Sequence, residues 1–201
     1  FTAPATVNAE THVPQHLAEK ILATRHLLEG ERKHVTVLFA DIRGSTALVE
    51  GRDPEEAQMI IDPVLHLMMK AVHRYEGTVN QILGDGIMAL FGAPLAHEDH
   101  ALRACYAALA MQEELQRHRE KLGQSEDGGL QIGIGLNFGE AFAGNIGSER
   151  RLEFPVIGDT VNTASRLCGE AGPRAILLSD GFRRALSDPP RLQPRPPMVP
   201  K

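Results

Sequence analysis

Tryptophan is absent, cysteine occurs twice, and aromatic residues make up only 4% of the 201-residue chain. Cys105 and Cys168 form no CxxC pair, which excludes a disulfide framework and a cysteine-built zinc site. A single bridge between them stays open, while two scattered cysteines fit a reducing compartment better. No apolar run approaches the ~18 residues that a membrane span needs. Basic surplus is also missing. The net charge is −5 and the isoelectric point about 6.0, so there is no electrostatic footprint for nucleic acid. Proline is sparse in the body of the chain, because Pro189, Pro190, Pro194, Pro196, Pro197 and Pro200 all sit in the last stretch. What remains is 42% hydrophobic and 23% charged, near the globular average, which excludes wholesale disorder. A chain this long buries roughly 70% of its unfolded surface, enough for one domain with a short appendage.

The chain starts at Phe1 and reads as a piece of a longer protein. Residues 1–12 are small and polar with no period and read as a mobile end. From Pro14 to Leu28 the spacing of Leu17, Ile21, Leu22 and Leu28 predicts a helix, which makes 1–31 a linker segment ahead of a domain at 32–201. Val35–Ala40 is a short β-rich run that ends in Asp41-Ile42-Arg43-Gly44-Ser45-Thr46. Asp53-Pro54 opens a helix whose apolar face includes Ile60, Ile61, Val64, Leu67, Met68, Ala71 and Val72. Two apolar runs, Thr78–Leu83 and Ile87–Phe91, flank Gly84-Asp85-Gly86 and predict a hairpin. A second long helix spans about Glu98 to Leu122, with His97 and His100 read as surface residues at its start. Leu130–Leu136 and Ala141–Ile146 are expected to form another strand pair, with a further strand within 152–157. Thr160–Ala171 reads as a helix, Ala175–Leu178 as a strand and Asp180–Leu186 as a short helix. The order strand, helix, hairpin, helix, strand is β-α-β-β-α-β: an α+β, ferredoxin-like core with a mixed or antiparallel sheet.

That topology makes the first and third strands neighbours, so Asp41 at the end of one lies beside Asp85 at the hairpin tip. Two converging carboxylates give the hard oxygen donors that Mg²⁺ or Mn²⁺ takes together with phosphate. Each aspartate also has a plain structural role open to it: Asp41 as a turn cap, Asp85 as half of a common Asp-Gly turn. Ile42 to Thr46 lead into the next helix, where backbone N–H groups can cradle an anion, while Ser45 or Thr46 can equally serve as an N-cap. Asn162 and Arg166, at i and i+4, share a helix face that suits an oxygen-rich charged partner or plain solvent.

Four ordered segments carry a resemblance. They are Val37–Thr46, Leu83–Gly92, Gly135-Leu136-Asn137-Phe138-Gly139, and Ile157–Leu167. Together they resemble the class III nucleotidyl cyclases, the adenylyl and guanylyl cyclase catalytic domains, from about residue 32 to the end. The resemblance implies two divalent metal ions, Mg²⁺ or Mn²⁺, held by Asp41 and Asp85 with the Ile42 main chain. One activates the ribose 3′-hydroxyl and the other binds the triphosphate; the hydroxyl attacks the α-phosphorus and pyrophosphate leaves. It further implies that the amides of Ile42, Arg43, Gly44, Ser45 and Thr46 hold phosphates. Asn162 would orient the ribose and Arg166 would stabilise the pentavalent phosphorus. These last two come from a partner subunit, so the implied unit is a head-to-tail homodimer with two sites. Lys201 resembles the family's C-terminal phosphate-binding lysine.

The chain departs from the family at the base-reading pair. Adenylyl cyclases carry a lysine and an Asp or Thr where this chain has Gln81 and Pro155, and the guanine-reading Glu and Cys are missing too. Gln81 offers one donor and one acceptor and can face either purine; backbone near Val156 is the other candidate reader. The expectation is a cytoplasmic, homodimeric cyclase making cyclic AMP from ATP, with GTP as the competing substrate. Regulatory domains are expected elsewhere in the full-length chain, with no nucleic-acid or membrane contact by this domain. The alternative is a degenerate cyclase-like module that binds nucleotide or dimerises to regulate an attached domain.

Overall fold

The computed structural model describes residues 31–123, 129–143, 156–186 and 191–195. Strand β1 (Glu31–Arg43) lies at the centre of a six-stranded sheet whose path runs β2 (Thr78–Leu83), β3 (Gly86–Phe91), β1, β4 (Gln131–Ala143), β5 (Val156–Ile157). A sixth strand, β6 (Ile176–Leu178), pairs parallel with β4, and every other pairing is antiparallel. The expected β-α-β-β-α-β order and the adjacency of the first and third strands are both present. The helices are α1 (Ser45–Val49), α2 (Pro54–Arg74), α3 (His100–Lys121), α4 (Asp159–Glu170) and α5 (Asp180–Ala185). Among the described residues, no helix is long and apolar enough to cross a membrane.

The alternation of β1 divides the molecule. Successive strand side chains point to opposite faces, and Leu38, Ala40 and Ile42 pack with Val64 and Met68 of α2 and Ala104 and Met111 of α3 in one continuous core. Val35 and Val37 point the other way, onto Met88, Leu90 and Ala164 of α4, with Phe39 half-buried at the edge of that second cluster. Local chemistry sets the ends of the long helices. Asp53 caps α2 by accepting from the Glu55 amide at 3.0 Å, and Pro54 occupies the first turn, as its missing N–H allows.

The structure corrects three sequence expectations. Leu130–Leu136 and Ala141–Ala143 are not two strands paired with each other, and residues 144–146 lie outside the described residues. β4 is one strand in unbroken register with β1, from Arg43↔Gln131 to Glu31↔Ala143. Asn137 and Gly139 look like turn residues, but α4 requires them. The Asn137 amide donates to the Thr160 carbonyl at 2.9 Å, and a Cβ at Gly139 would lie 2.6 Å from Thr160 Oγ1. Gly135 serves the same end, since a Cβ there would run into the Ala164 carbonyl and the Cys168 amide. The second correction is His100, which is 8% exposed rather than a surface residue: its Nδ1 shares a 2.9 Å hydrogen bond with the Thr36 hydroxyl, and its ring stacks on Phe138. Burial lowers its affinity for a proton. The third is α1, a short helix that the sequence pattern did not reveal. Ser45 is its first residue and not its cap; the cap position belongs to Gly44 at φ 77°. The helix expected over 14–28 lies outside the described residues.

Candidate active site

Asp41 is the last open-face residue of β1 but one, and its neighbours across both adjacent strands are glycines, Gly86 and Gly133. The missing side chains leave room around its carboxyl group. A Cβ on Gly86 would come within 2.9 Å of Asp41 Oδ1 and 2.7 Å of the Ala40 carbonyl. The hairpin closes so tightly here because Leu83 pairs directly with Gly86 and Gly84 takes the left-handed conformation at φ 67°. Asp85 therefore sits at the tip, and its carbonyl accepts from the Ile42 amide at 3.4 Å. Its carboxylate lies close enough to that of Asp41 to raise the Asp41 pKa.

Partial burial, and then the nearby Asp85 carboxylate, push the Asp41 pKa above its ordinary value, while the Arg43 guanidinium opposes them. Ser45 joins the pair. Its hydroxyl donates to Asp85 Oδ2 and lies 3.3 Å from the Ile42 carbonyl. The donor set is thus two carboxylates and a main-chain carbonyl crowded at one strand end. Like charges this near repel, and a divalent cation on hard oxygen ligands relieves that repulsion. The residues present fit such an ion. Among the described residues, no group of three or more His, Cys, Asp or Glu side chains gathers around a common point. An ion here would complete its shell from phosphate and water oxygens, the usual habit of Mg²⁺.

The structure brings together Asp41, Ile42, Ser45 and Asp85. Gly44 and Thr46 are exposed beside them at the turn into α1. The Arg43 side chain turns away from this turn, toward α4 (Nη1 to Asp41 Oδ2 3.1 Å, Nη2 to the Cys168 carbonyl), so only its backbone is left to face a phosphate. Gln81 is exposed on β2 and pairs in register with Met88, which places it on the open face of the sheet with Phe39 and Asp41. Asn162 and Arg166 are exposed on α4, and among the described residues neither has a hydrogen-bond or ion-pair partner. They do not touch the carboxylate pair. Val156 is placed by its backbone alone, in β5 opposite Ala143. Pro155 and Lys201 lie outside the described residues. Sequence reasoning missed the contact of Arg43 with α4. The signal was present in the i, i+2 spacing of Asp41 and Arg43 on one strand face, opposite a glycine.

Residues 28–195 match the family model for the adenylate and guanylate cyclase catalytic domain. The chain belongs to that family. The cyclase domain is 35% identical to adenylate cyclase 1 of Rhizobium meliloti over 160 residues, which is 79% of this chain and 24% of that one. Its fold is similar to the crystal structure of the guanylyl cyclase Cya2, at 35% identity and a TM-score of 0.72, covering 80% of this chain and 82% of the other. It is also similar to the adenylyl cyclase CyaB from P. aeruginosa, at 33% identity and a TM-score of 0.71, covering 79% and 82%. The chain spans about a quarter to a third of the length of the curated relatives it matches. Of these two structural relatives, one is a guanylyl cyclase and the other an adenylyl cyclase.

Proposed function

We propose that this domain converts ATP to 3′,5′-cyclic AMP and pyrophosphate at the interface of a head-to-tail homodimer. The observation that carries the reading is the convergence of Asp41 and Asp85, with the Ile42 carbonyl, at the end of the central strand. These groups would hold two divalent ions, Mg²⁺ or Mn²⁺. When bound, the ions supply Lewis-acid charge at the triphosphate and ease deprotonation of the ribose 3′-hydroxyl. The chain's own contribution is placement. The backbone from Ile42 to Thr46 binds phosphate oxygens at the turn into α1, with Lys201 as a further phosphate ligand. Asn162 orients the ribose, and Arg166 stabilises the charge that develops at the α-phosphorus as the 3′-oxygen attacks and pyrophosphate leaves. Both are exposed on α4 and away from the carboxylates of their own protomer, which supports their serving a partner's site.

Gln81, Pro155 and the backbone of Val156 stand at the base-reading positions. A neutral, reversible amide in place of a lysine can face either purine, which supports GTP as a weaker substrate beside ATP. It also favours a second reading, in which the domain binds nucleotide or dimerises to regulate an attached domain without efficient turnover. The remaining proposals are that 32–201 is the catalytic unit, 1–31 its lead-in, the location cytoplasmic, and the regulatory domains elsewhere in a longer chain. Product analysis with ATP and with GTP, each with Mg²⁺ and with Mn²⁺, tests the reading. Cyclic AMP dependent on both Asp41 and Asp85 supports it; nucleotide binding with no cyclic product under any of the four conditions supports the second reading.

A further inference from the structure

Arg43 has a role that the phosphate turn does not account for. Its Nη1 donates to Asp41 Oδ2 at 3.1 Å, and its Nη2 donates to the Cys168 carbonyl, 3.8 Å from the Cys168 sulfur. The guanidinium is largely covered, with its side chain 22% exposed, and Nε is buried without a hydrogen-bond partner. Gly133 makes the space, since a Cβ there would run into Nε and lie 2.7 Å from Nη2. The planar fork holds its two acceptors in a fixed relation that a flexible ammonium cannot reproduce. One acceptor belongs to the carboxylate pair. The other belongs to the last turn of α4, where a cation also meets the negative end of the helix dipole. With Oδ2 taken, Asp41 is left presenting Oδ1 toward Gly86 and the hairpin that carries Asp85.

We propose that Arg43 is a positioning residue that clamps Asp41 to the end of α4 and thereby couples the two half-sites to which one protomer contributes. The proposal rests on the two-protomer reading above. Asp41 serves one site, while Arg166, two residues before Cys168, serves the other. A divalent ion that draws on Asp41 therefore pulls, through one guanidinium, on the helix that completes the partner's site. Orientation of a ligand by its hydrogen-bond partner is worth about 10- to 100-fold in activity or metal affinity.

The test uses the 201-residue chain and two variants. Arg43→Met keeps the apolar stem and removes both arms; Arg43→Lys keeps the charge and offers one arm. Hydrogen–deuterium exchange of residues 166–171 is measured with and without Mn²⁺, with Mn²⁺ binding followed in parallel by electron paramagnetic resonance. In the wild type, Mn²⁺ changes exchange at the end of α4. In Arg43→Met and Arg43→Lys the ion still binds and the α4 response is lost. In turnover, kcat falls about 10- to 100-fold in both variants, while the nucleotide KM stays within about threefold. An α4 response to Mn²⁺ that is the same in wild type and Arg43→Met overturns the clamp, as does full rescue by Arg43→Lys. A KM that rises by the whole loss in kcat/KM also overturns it, by making Arg43 a direct nucleotide ligand. Those outcomes leave the cyclase reading standing. A wild-type chain that neither binds Mn²⁺ nor makes cyclic nucleotide removes that reading, and the clamp with it.

Discussion

On one face of β1, Leu38, Ala40 and Ile42 are at most 2% exposed under α2 and α3; on the other, Asp41 keeps 38% of its side chain in solvent where the cover of α4 ends. Residues 40, 41 and 42 are consecutive, so a single strand supplies a buried methyl, a half-exposed carboxylate and a buried β-branched sec-butyl side chain within three positions. The covered face is held by packing of many apolar atoms, each contributing little. The open face is held by a few polar groups around glycines, and there the chain accepts a cost. Asp41 is partly buried and faces the Asp85 carboxylate, and both raise its proton affinity. Stability and chemistry are therefore separable by substitution, and the separation can be attacked from either side.

The largest effect is expected from the open face. Asp41→Ala or Asp85→Ala removes a proposed metal ligand, and Lewis-acid stabilisation is worth several kcal/mol, or a rate loss on the order of 10³-fold or more. Circular dichroism and melting should show the fold retained, because neither side chain belongs to the core. Near-normal turnover in either folded variant would remove the assignment.

The covered face should respond the other way. Met111 of α3 is fully buried in the main core. Met111→Ala should cost about 2–5 kcal/mol of stability, read by urea denaturation. In the fraction that stays folded, kcat should be nearly unchanged. A large change in kcat without loss of stability would show that the two faces are not independent.

Base selectivity is a smaller effect on the open face. Strong discrimination needs buried polar groups that the wrong base leaves unpaired, and Gln81 is exposed and reversible. The kcat/KM ratio of ATP to GTP should be about 10- to 100-fold, the size of one or two hydrogen bonds. Gln81→Lys with Pro155→Asp should sharpen it. A wild-type ratio in the many thousands would mean that other groups, with the backbone near Val156 first among them, read the base.

The smallest effect is on metal-free stability. The Asp41 pKa is raised in the fold, so the native state binds a proton more tightly there than the unfolded chain does. Its contribution is fully favourable below the ordinary carboxylate pKa and is lost as pH rises through the raised value. Asp41→Asn should therefore melt higher than wild type at neutral pH in the presence of a chelator, with the gap closing on acidification. Mn²⁺ should raise the melting temperature of the wild type and not of Asp41→Asn. An Asn variant that melts lower at neutral pH would contradict the like-charge account.

Much of this was legible in residue order alone. The β-branched run before Asp41, the Asp53-Pro54 helix start and the Gly84-Asp85-Gly86 hairpin each have a local physical cause, and all three stand where the pattern put them. The convergence of Asp41 with Asp85 followed from topology. The misread parts were those decided by distant partners. Asn137 and Gly139 carry a turn signal that α4 overrides by lying against β4. His100 is polar by type but is satisfied by Thr36, which is 64 positions away. Arg43 sits in the proposed phosphate turn, yet its guanidinium is directed by a helix that begins more than a hundred residues later.

The central claim is that each catalytic site takes its carboxylates from one protomer and Asn162 and Arg166 from the other. Mixing Asp41→Ala chains with Arg166→Ala chains, each inactive alone, tests it most directly. Random exchange places half of the subunits in mixed dimers with one intact site each, so the mixture should regain roughly a quarter of wild-type activity. A mixture that stays as inactive as the separate variants, with subunit exchange demonstrated by mass, would contradict the shared site.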